Sequence, residues 1–308
     1  MPPLTTSATT SPEVHTQGRG VTYGVLAYVL WGLFPAYWPL LVPAQPIEVL
    51  AHRIVWSFVT LAVAVVLLRR WRPLLDLSGR GWLIVTAAAV LITVNWGVYI
   101  YAVNSNHVVE SALGYFITPL VSVALGMIFL KERLRLAQVI AIGVVVVAVI
   151  VLTVDYGRLP TISLVLAVSF GVYGLLKKKV PLDAVSSLTA ESAVIAPVAL
   201  VYLLTLGGAN TFASEGAGHA LLLLSTGIVT VIPLLLFGAG ARLIPLTTMG
   251  MLQYLAPILQ FAWGVFVVHE PMPASRWAGF ALVWLALAIF ITDALRNRRR
   301  QQPAPVAD

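Results

Sequence analysis

Four charged side chains lie within or at the ends of long apolar segments: Arg53, Glu110, Glu191 and Arg242. Ionisable groups inside a lipid bilayer are costly, and those that occur there usually serve a function. Arg53 lies about 9 Å from one membrane face, at a depth that Glu110 can reach, and Glu191 lies about as deep from the other face, near Arg242. We expect an Arg53–Glu110 pair and a Glu191–Arg242 pair, acting as alternating gates or as the rim of a solute cavity. The structural alternative is that Arg53 reaches lipid headgroups and Glu191 satisfies a neighbouring helix end.

Two apolar segments carry matching polar faces, each with side chains at positions i, i+4 and i+7, which share one side of a helix. The residues are Tyr115, Pro119 and Ser122, and then, 138 positions later, Gln253, Pro257 and Gln260. Glutamine is costly against lipid, so this face should point at protein or water. Each proline frees a backbone carbonyl and permits a kink. We expect these faces to be opposite walls of one cavity, with hydrogen bonding between helices as the alternative.

Aromatic and amide side chains recur at helical spacing in three other segments. Trp31 precedes a further kink site, Pro35, and Asn95 and Tyr99 are spaced i and i+4, while Tyr173 lies in a later segment. Aromatic residues at this spacing often form packing layers or interfacial belts. They can also line a cavity for an amphipathic or aromatic solute. We expect Trp31, Asn95, Tyr99 and Tyr173 to line the same cavity as the two polar faces.

The chain offers little for catalysis. It has no cysteine, and its carboxylates and histidines are scattered singly over separate helix ends. Enzymes usually need such groups clustered in one pocket. We therefore predict no catalytic residues, no metal and no cofactor. An integral-membrane lipid-modifying enzyme and a non-transporting sensor or assembly protein stay as alternatives.

The elements that position these residues are membrane helices. The chain is 59% hydrophobic and 10% charged, with a mean hydropathy of +0.93. Apolar segments long enough to cross a bilayer of about 30 Å recur along the chain, and in lipid they must be helices. The predicted fold is therefore an all-α integral membrane protein. The ten predicted helices are 21–42, 47–68, 81–103, 108–130, 136–154, 160–176, 184–206, 219–241, 246–268 and 276–294.

The segments form two copies of a five-helix unit. Landmark residues recur at an offset of 138, and the pairs are Arg53 and Glu191, Pro119 and Pro257, Gly126 and Gly264, Glu132 and Glu270, and Asp155 and Asp293. Five is odd, so the second copy, 160–294, enters the membrane from the side opposite to the first, 21–154. Inverted repeats of this kind are typical of secondary transporters with a site near the midplane. Residues 1–20 and 295–308 are predicted to be a disordered tail and a basic tail.

Basic residues indicate how the helices are oriented. Of the 19 Lys and Arg residues, only Arg158 and Arg276 fall in the segments predicted to lie outside, and Arg53 lies within a helix. Such asymmetry places both termini in the cytoplasm and the protein in the plasma membrane. The net charge of +7 then reflects orientation and headgroup contact rather than nucleic-acid binding. The expected partners are the bilayer and a small-molecule substrate, and a homodimer is left open.

Several stretches resemble one known family. LAHRIVWS (50–57), NWGVYIYAVNSNHVVESALGYFITPL (95–120) and GMLQYLAPILQF (250–261) are similar to RarD-like proteins of the EamA type, in the drug/metabolite transporter superfamily. The resemblance implies that each five-helix unit is an EamA-like repeat and that the protein is a permease or exporter. Such proteins are described as chloramphenicol-sensitivity or permease proteins. This chain departs from the pattern at Thr118, where the resemblance leads us to expect Asn.

Neither the solute nor the energy source follows from the residues. Small multidrug exporters related to this superfamily use a glutamate in their first helix for proton coupling, and this chain has no acid in its first or sixth predicted helix. Coupling through Glu110 or Glu191 and facilitated diffusion both stay open. So does the choice between import and export.

Overall fold

The described residues form helices joined by short turns, without a strand. The computed structural model describes residues 12–69, 71–131, 134–177, 179–244 and 246–301. The main helices are α1 (Pro12–Gly32), α2 (Pro46–Leu67), α3 (Gly79–Asn104), α4 (Val108–Leu130), α5 (Leu136–Tyr156), α6 (Thr161–Lys177), α7 (Ala184–Thr205), α8 (Gly216–Ala241), α9 (Leu246–Leu252 and Leu255–Phe266) and α10 (Ala274–Gln301).

The helices are arranged as expected for a protein in lipid. Seven described helices are long and apolar enough to span a membrane, or eight if the bent pair Gly18–Gly32 and Phe34–Leu41 is one span. The shorter α6 and the broken α9 occupy the other two predicted positions. The most apolar span, α5, has a mean hydropathy of 2.9 and buries 22% of its apolar window, whereas α7 has 1.7 and buries 44%. The more apolar of these two helices is thus the less buried, and the apolar helical spans confirm the all-α membrane fold.

Two helices are interrupted near the predicted kink prolines. The bend in the first span is 42°, at Leu33, and Pro35 occupies the first turn of the short helix that follows. In α9 the break falls at Gln253 and Tyr254, just before Pro257. Pro119, by contrast, lies inside an unbroken α4. A proline therefore accompanies both breaks without forcing one at every site.

The predicted tails are partly helical. The helix α1 begins at Pro12, inside the segment 1–20 that was expected to be disordered, and α10 continues to Gln301, inside the segment 295–308. Residues 1–11 and 302–308 lie outside the described residues, as does Glu132 of the repeat landmarks. A polar sequence can continue a helix beyond the lipid because water satisfies the backbone groups at its end.

The packing of the two repeats follows their internal symmetry. The pairs α2 with α7, α4 with α9 and α5 with α10 are repeat equivalents, and each pair packs across the boundary between repeats. At one end of α5, Asp155 pairs with Arg276 of α10 (2.9 Å), and at the other end Arg135 pairs with Asp293 (2.5 Å). The two aspartates differ by 138 positions, so these reciprocal pairs relate the repeats by an approximate two-fold axis.

Local sequence sets where the central helices begin and how closely they approach. The hydroxyl of Ser78 accepts a hydrogen bond from the Gly81 amide and caps α3, and the Asp183 carboxylate caps α7 through the amides of Val185 and Ser186. Gly227 brings α8 onto the backbone of α2 so closely that a Cβ there would overlap the Trp56 carbonyl. These close contacts fix the positions of the helices that surround the site.

Candidate functional site

A cavity of about 380 Å³ lies between the two repeats. Its volume is within the roughly 300–1,000 Å³ range of small-molecule sites. Its walls come from α1, α2, α3 and α4 of the first repeat and from α6, α7, α8 and α9 of the second. Among the predicted residues, Trp31, Arg53, Asn95, Tyr99, Tyr115, Tyr173, Gln253, Pro257 and Gln260 line it.

The cavity is closed at the end where Arg53 lies. Arg53 is 2% exposed, and its guanidinium carbon lies 3.9 Å from the ring centroid of Trp96 and 5.0 Å from that of Trp38. The Arg53 Nε donates to the Thr230 hydroxyl (3.0 Å). Nearby, the Tyr37 hydroxyl donates to the Leu222 carbonyl (3.0 Å), which joins the segment after α1 to α8. Aromatic rings and hydrogen bonds between the repeats therefore seal this end.

The opposite end of the cavity is less enclosed. There the wall includes Lys177, Val185 and Leu234, at the end of α6, the start of α7 and the latter half of α8. The Lys177 side chain is 26% exposed, in contrast to the fully enclosed Arg53. The two ends of the cavity thus differ in exposure.

Asn95 lines the cavity and also joins three helices. Its amide nitrogen donates to the Leu166 carbonyl (3.0 Å) and to the Ser169 hydroxyl (3.0 Å) of α6, and its oxygen accepts from Tyr115 of α4 (3.1 Å). The side chain is 1% exposed. Both polar atoms of the Asn95 side chain have partners inside the protein, so Asn95 holds the cavity wall in place. Its role here is hydrogen bonding between helices.

The matched polar faces meet the cavity unequally. Gln253 and Gln260 line it, and the Gln260 amide nitrogen donates to the Trp31 carbonyl (3.1 Å) while its oxygen has no partner. Ser122, the predicted equivalent of Gln260, is absent from the cavity wall and lies beside Gly171. Ser122 therefore does not line the cavity in this structure. Its helix α4 packs against α6, and Ser122 lies at that contact.

The predicted ion pairs are not formed. Glu110 binds Arg158 (2.8 Å) rather than Arg53, and its carboxylate also accepts from the Ile162 amide at the start of α6 (3.2 Å). Glu191 binds Lys177 (2.6 Å) rather than Arg242. Arg242 is exposed at the end of α8. Glu110 and Glu191 lie outside the wall of the main cavity, so the structure corrects both the pairing and the expected rim.

The partners of both carboxylates lie in a turn and at a helix end, just outside the predicted apolar segments. Arg158 lies in the turn after α5, and Lys177 ends α6. Long basic side chains extend several ångströms along a helix and reach groups below the membrane surface. In the sequence, Arg158 and Lys177 indicate only the orientation of the helices. A search for partners of the two carboxylates within one helical turn beyond each predicted segment would include both residues.

A further acidic side chain secures the end of the protein near Glu110. Glu270, between α9 and α10, accepts from the backbone amides of Val108 (2.5 Å) and Val109 (3.2 Å), and so caps α4. Burial raises the pKa of Glu270 to about 7, although these two amide hydrogen bonds oppose the rise. The carboxyl is favoured there by the helix dipole and by the free amides. Glu270 thus ties the second repeat to the first.

Several lining residues had no place among the predicted cavity residues. They include Phe34, Trp96, Phe237 and Lys177. Phe237 is the repeat equivalent of Tyr99, so the offset of 138 could have located it. Trp96 follows Asn95 directly and points elsewhere on α3, yet it reaches the cavity because its ring lies against Arg53. The departure from the family pattern, Thr118, donates to the Gly114 carbonyl of its own helix (2.8 Å).

Known proteins with similar sequences include several that are named as transporters. Residues 18–154 match the EamA-like transporter family. The chain is 53% identical over 290 residues to Protein RarD of Streptomyces exfoliatus, an alignment that covers 93% of this chain and 92% of that protein. It is 42% identical over 286 residues to the Uncharacterized transporter YojE of Bacillus subtilis strain 168, covering 91% of this chain and 96% of that protein.

Structural comparison agrees with these matches. One crystal structure aligns with a TM-score of 0.59 at 17% identity, over 92% of this chain and 99% of its own, which shows a shared fold. The sequence relatives cover both repeats, and their identity far exceeds what a common fold alone requires. The chain therefore belongs to the EamA-type transporters, and among them to the RarD-like proteins.

Proposed function

We propose that this protein is a secondary transporter that moves a small metabolite or drug-like solute by alternating access through the cavity between its repeats. The observation that carries the proposal is a cavity of about 380 Å³ that both repeats line and that is enclosed at the Arg53 end and less enclosed at the Lys177 end. A site enclosed by two inverted repeats can open to either face when the repeats exchange conformations.

The orientation of the cavity follows from the predicted topology. With both termini in the cytoplasm, the Lys177 end faces the cytoplasm and the Arg53 end faces outward. The structure then corresponds to an inward-open conformation. The outer end is held by contacts between repeats, Asp155 with Arg276 and Glu270 with the start of α4, which must separate when the cavity opens outward.

Solute flux in reconstituted vesicles tests the proposal. Gly174 lines the cavity, and a Cβ added there meets nothing within 4 Å, so Gly174→Phe fills the cavity without a backbone clash. Gly143 on α5 is exposed and equally open, so Gly143→Phe is the matched control. The vesicles would be offered a defined mixture of amino acids, nucleosides, organic cations and phenicols.

The proposal predicts that wild-type protein moves at least one solute class, that Gly174→Phe abolishes this flux, and that Gly143→Phe retains it. Equal flux through both variants would place the pathway elsewhere. Solute binding without flux in wild-type protein would contradict transport and favour a sensor.

A further inference from the structure

The positive charge of Arg53 has no carboxylate partner among the described residues. The three buried glutamates among the described residues are engaged elsewhere: Glu110 binds Arg158, Glu191 binds Lys177, and Glu48 accepts from the amide and hydroxyl of Thr211. Arg53 Nε has a partner in Thr230, while Nη1 is buried without one. The protein therefore encloses a cation without supplying its anion.

Enclosing the Arg53 cation without an anion is energetically unfavourable, whereas its repeat equivalent, Glu191, is paired. Buried charges are usually paired, because desolvation is otherwise uncompensated. Stacking on Trp96 at 3.9 Å offsets part of that cost. The carboxylate of Glu191, the equivalent of Arg53 in the second repeat, accepts hydrogen bonds from Lys177 (2.6 Å), Ser187 (2.9 Å) and Tyr173 (3.0 Å). Of these two equivalent buried charges, only Arg53 lacks a partner of opposite charge among the described residues.

A second unpartnered donor lies in the same cavity wall. The Tyr99 hydroxyl is buried without a hydrogen-bond partner, and the side chain is 3% exposed. Tyr99 and Arg53 both line the cavity. A buried hydroxyl and a buried guanidinium N–H that lack acceptors are together suited to bind one anionic group.

The charge and the lining of the cavity indicate the rest of the ligand. Of the two cations in the wall, Lys177 is neutralised by Glu191, which leaves one positive charge, on Arg53. The remaining surface is largely apolar. Nine of the 23 lining residues are aromatic, among them Trp31, Phe34 and Phe237, and most of the others are aliphatic.

We infer that the solute is a small monoanion, such as a carboxylate, with an aromatic or apolar body, and that Arg53 and Tyr99 bind its anionic group. This inference rests on the proposed transport function and specifies its substrate class. In the inward-open conformation the anionic group enters past Lys177 and stops at the closed end of the cavity. The aromatic body then lies against the aromatic side chains of the cavity wall, which include the packed pair Trp31 and Phe237.

Three probes of similar size and different charge test this inference: phenylacetate, the neutral phenylacetamide and the cation phenethylamine. Binding would be measured at pH 7.5 by thermal shift and calorimetry on detergent-purified protein. A ligand that binds only the native state raises the unfolding midpoint. We expect phenylacetate alone to bind wild-type protein. Arg53→Gln should weaken that binding by about 10- to 100-fold, as expected for a lost charge-assisted hydrogen bond.

Arg242→Gln is the matched control, since it makes the same substitution at an exposed arginine outside the cavity and should bind phenylacetate as wild type does. If Arg53→Gln does not fold, Arg53→Lys keeps the charge without the planar donor pair and should preserve the preference for phenylacetate at lower affinity.

Equal binding of phenylacetate and phenylacetamide, or undiminished binding by Arg53→Gln, would overturn the charge assignment while leaving a solute-binding cavity. Binding of none of the three probes would also overturn it. The flux comparison of Gly174→Phe with Gly143→Phe would still decide the transport function separately.

Discussion

At the scale of single residues, the polar side chains that line the cavity differ in whether they form hydrogen bonds within the protein. The Asn95 side-chain amide forms hydrogen bonds with α4 and α6. Gln253 lines the same cavity without a side-chain hydrogen bond among the described residues. The sequence could place both in the wall, because helical spacing fixes the face of each. It could not show which amide was satisfied, because the partners belong to helices distant in the chain.

This difference predicts unequal effects on stability. Asn95→Leu removes the hydrogen bonds that join α3 to α4 and α6, and we expect the free energy of unfolding to fall by about 1–3 kcal/mol. Gln253→Leu should change it by less than about 0.5 kcal/mol. Denaturant titration in detergent would measure both. A larger loss for Gln253→Leu than for Asn95→Leu would contradict the assignment.

Glu270 should make stability depend on pH. Its pKa is about 7 in the folded protein, above the ordinary 4.5, because burial penalises the charged carboxylate. The contribution to stability is therefore complete below about pH 4.5 and is lost as the pH rises through 7. We expect the thermal midpoint of wild-type protein to fall between pH 5 and 8 more steeply than that of Glu270→Gln. The exposed Glu215→Gln serves as control and should retain the wild-type slope.

At the scale of helices, each predicted apolar segment overlaps a described helix, and the errors lie at the ends and the breaks. The helices α1 and α10 extend beyond their predicted limits at Pro12 and Gln301, because a hydropathy signal ends where lipid ends and a helix need not. The ion pairs failed for a related reason. Arg158 and Lys177 lie just beyond the predicted apolar segments, so they were outside the set of candidate partners.

Close packing between α8 and α2 gives a prediction at the same scale. Gly227→Ala would place a methyl group on the Trp56 carbonyl, and backbone cannot move aside as a side chain can. We expect a loss of roughly 1–3 kcal/mol in the free energy of unfolding. Gly143→Ala, on an exposed face with open space, should be neutral or stabilising by up to about 1 kcal/mol. Similar stabilities for the two variants would mean that α8 and α2 are farther apart.

At the scale of the whole molecule, helices that the offset of 138 relates pack against each other, and the orientation in the membrane is still a prediction. The chain has no cysteine, so single cysteines can report it directly. Leu159→Cys, between α5 and α6, should react with a membrane-impermeant maleimide in intact cells. Leu75→Cys, between α2 and α3, should react only after permeabilisation; both positions are exposed. The reverse pattern would place the termini outside.

The most direct measurement for the central claim is the accessibility of Gly174→Cys, inside the cavity, from each face of the membrane. An impermeant maleimide would be applied to right-side-out and to inside-out vesicles, with Leu159→Cys as the control for vesicle integrity. Alternating access predicts that Gly174→Cys is labelled from both faces, while Leu159→Cys is labelled from one. Labelling of Gly174→Cys from the cytoplasmic face alone would show a fixed pocket and contradict the account.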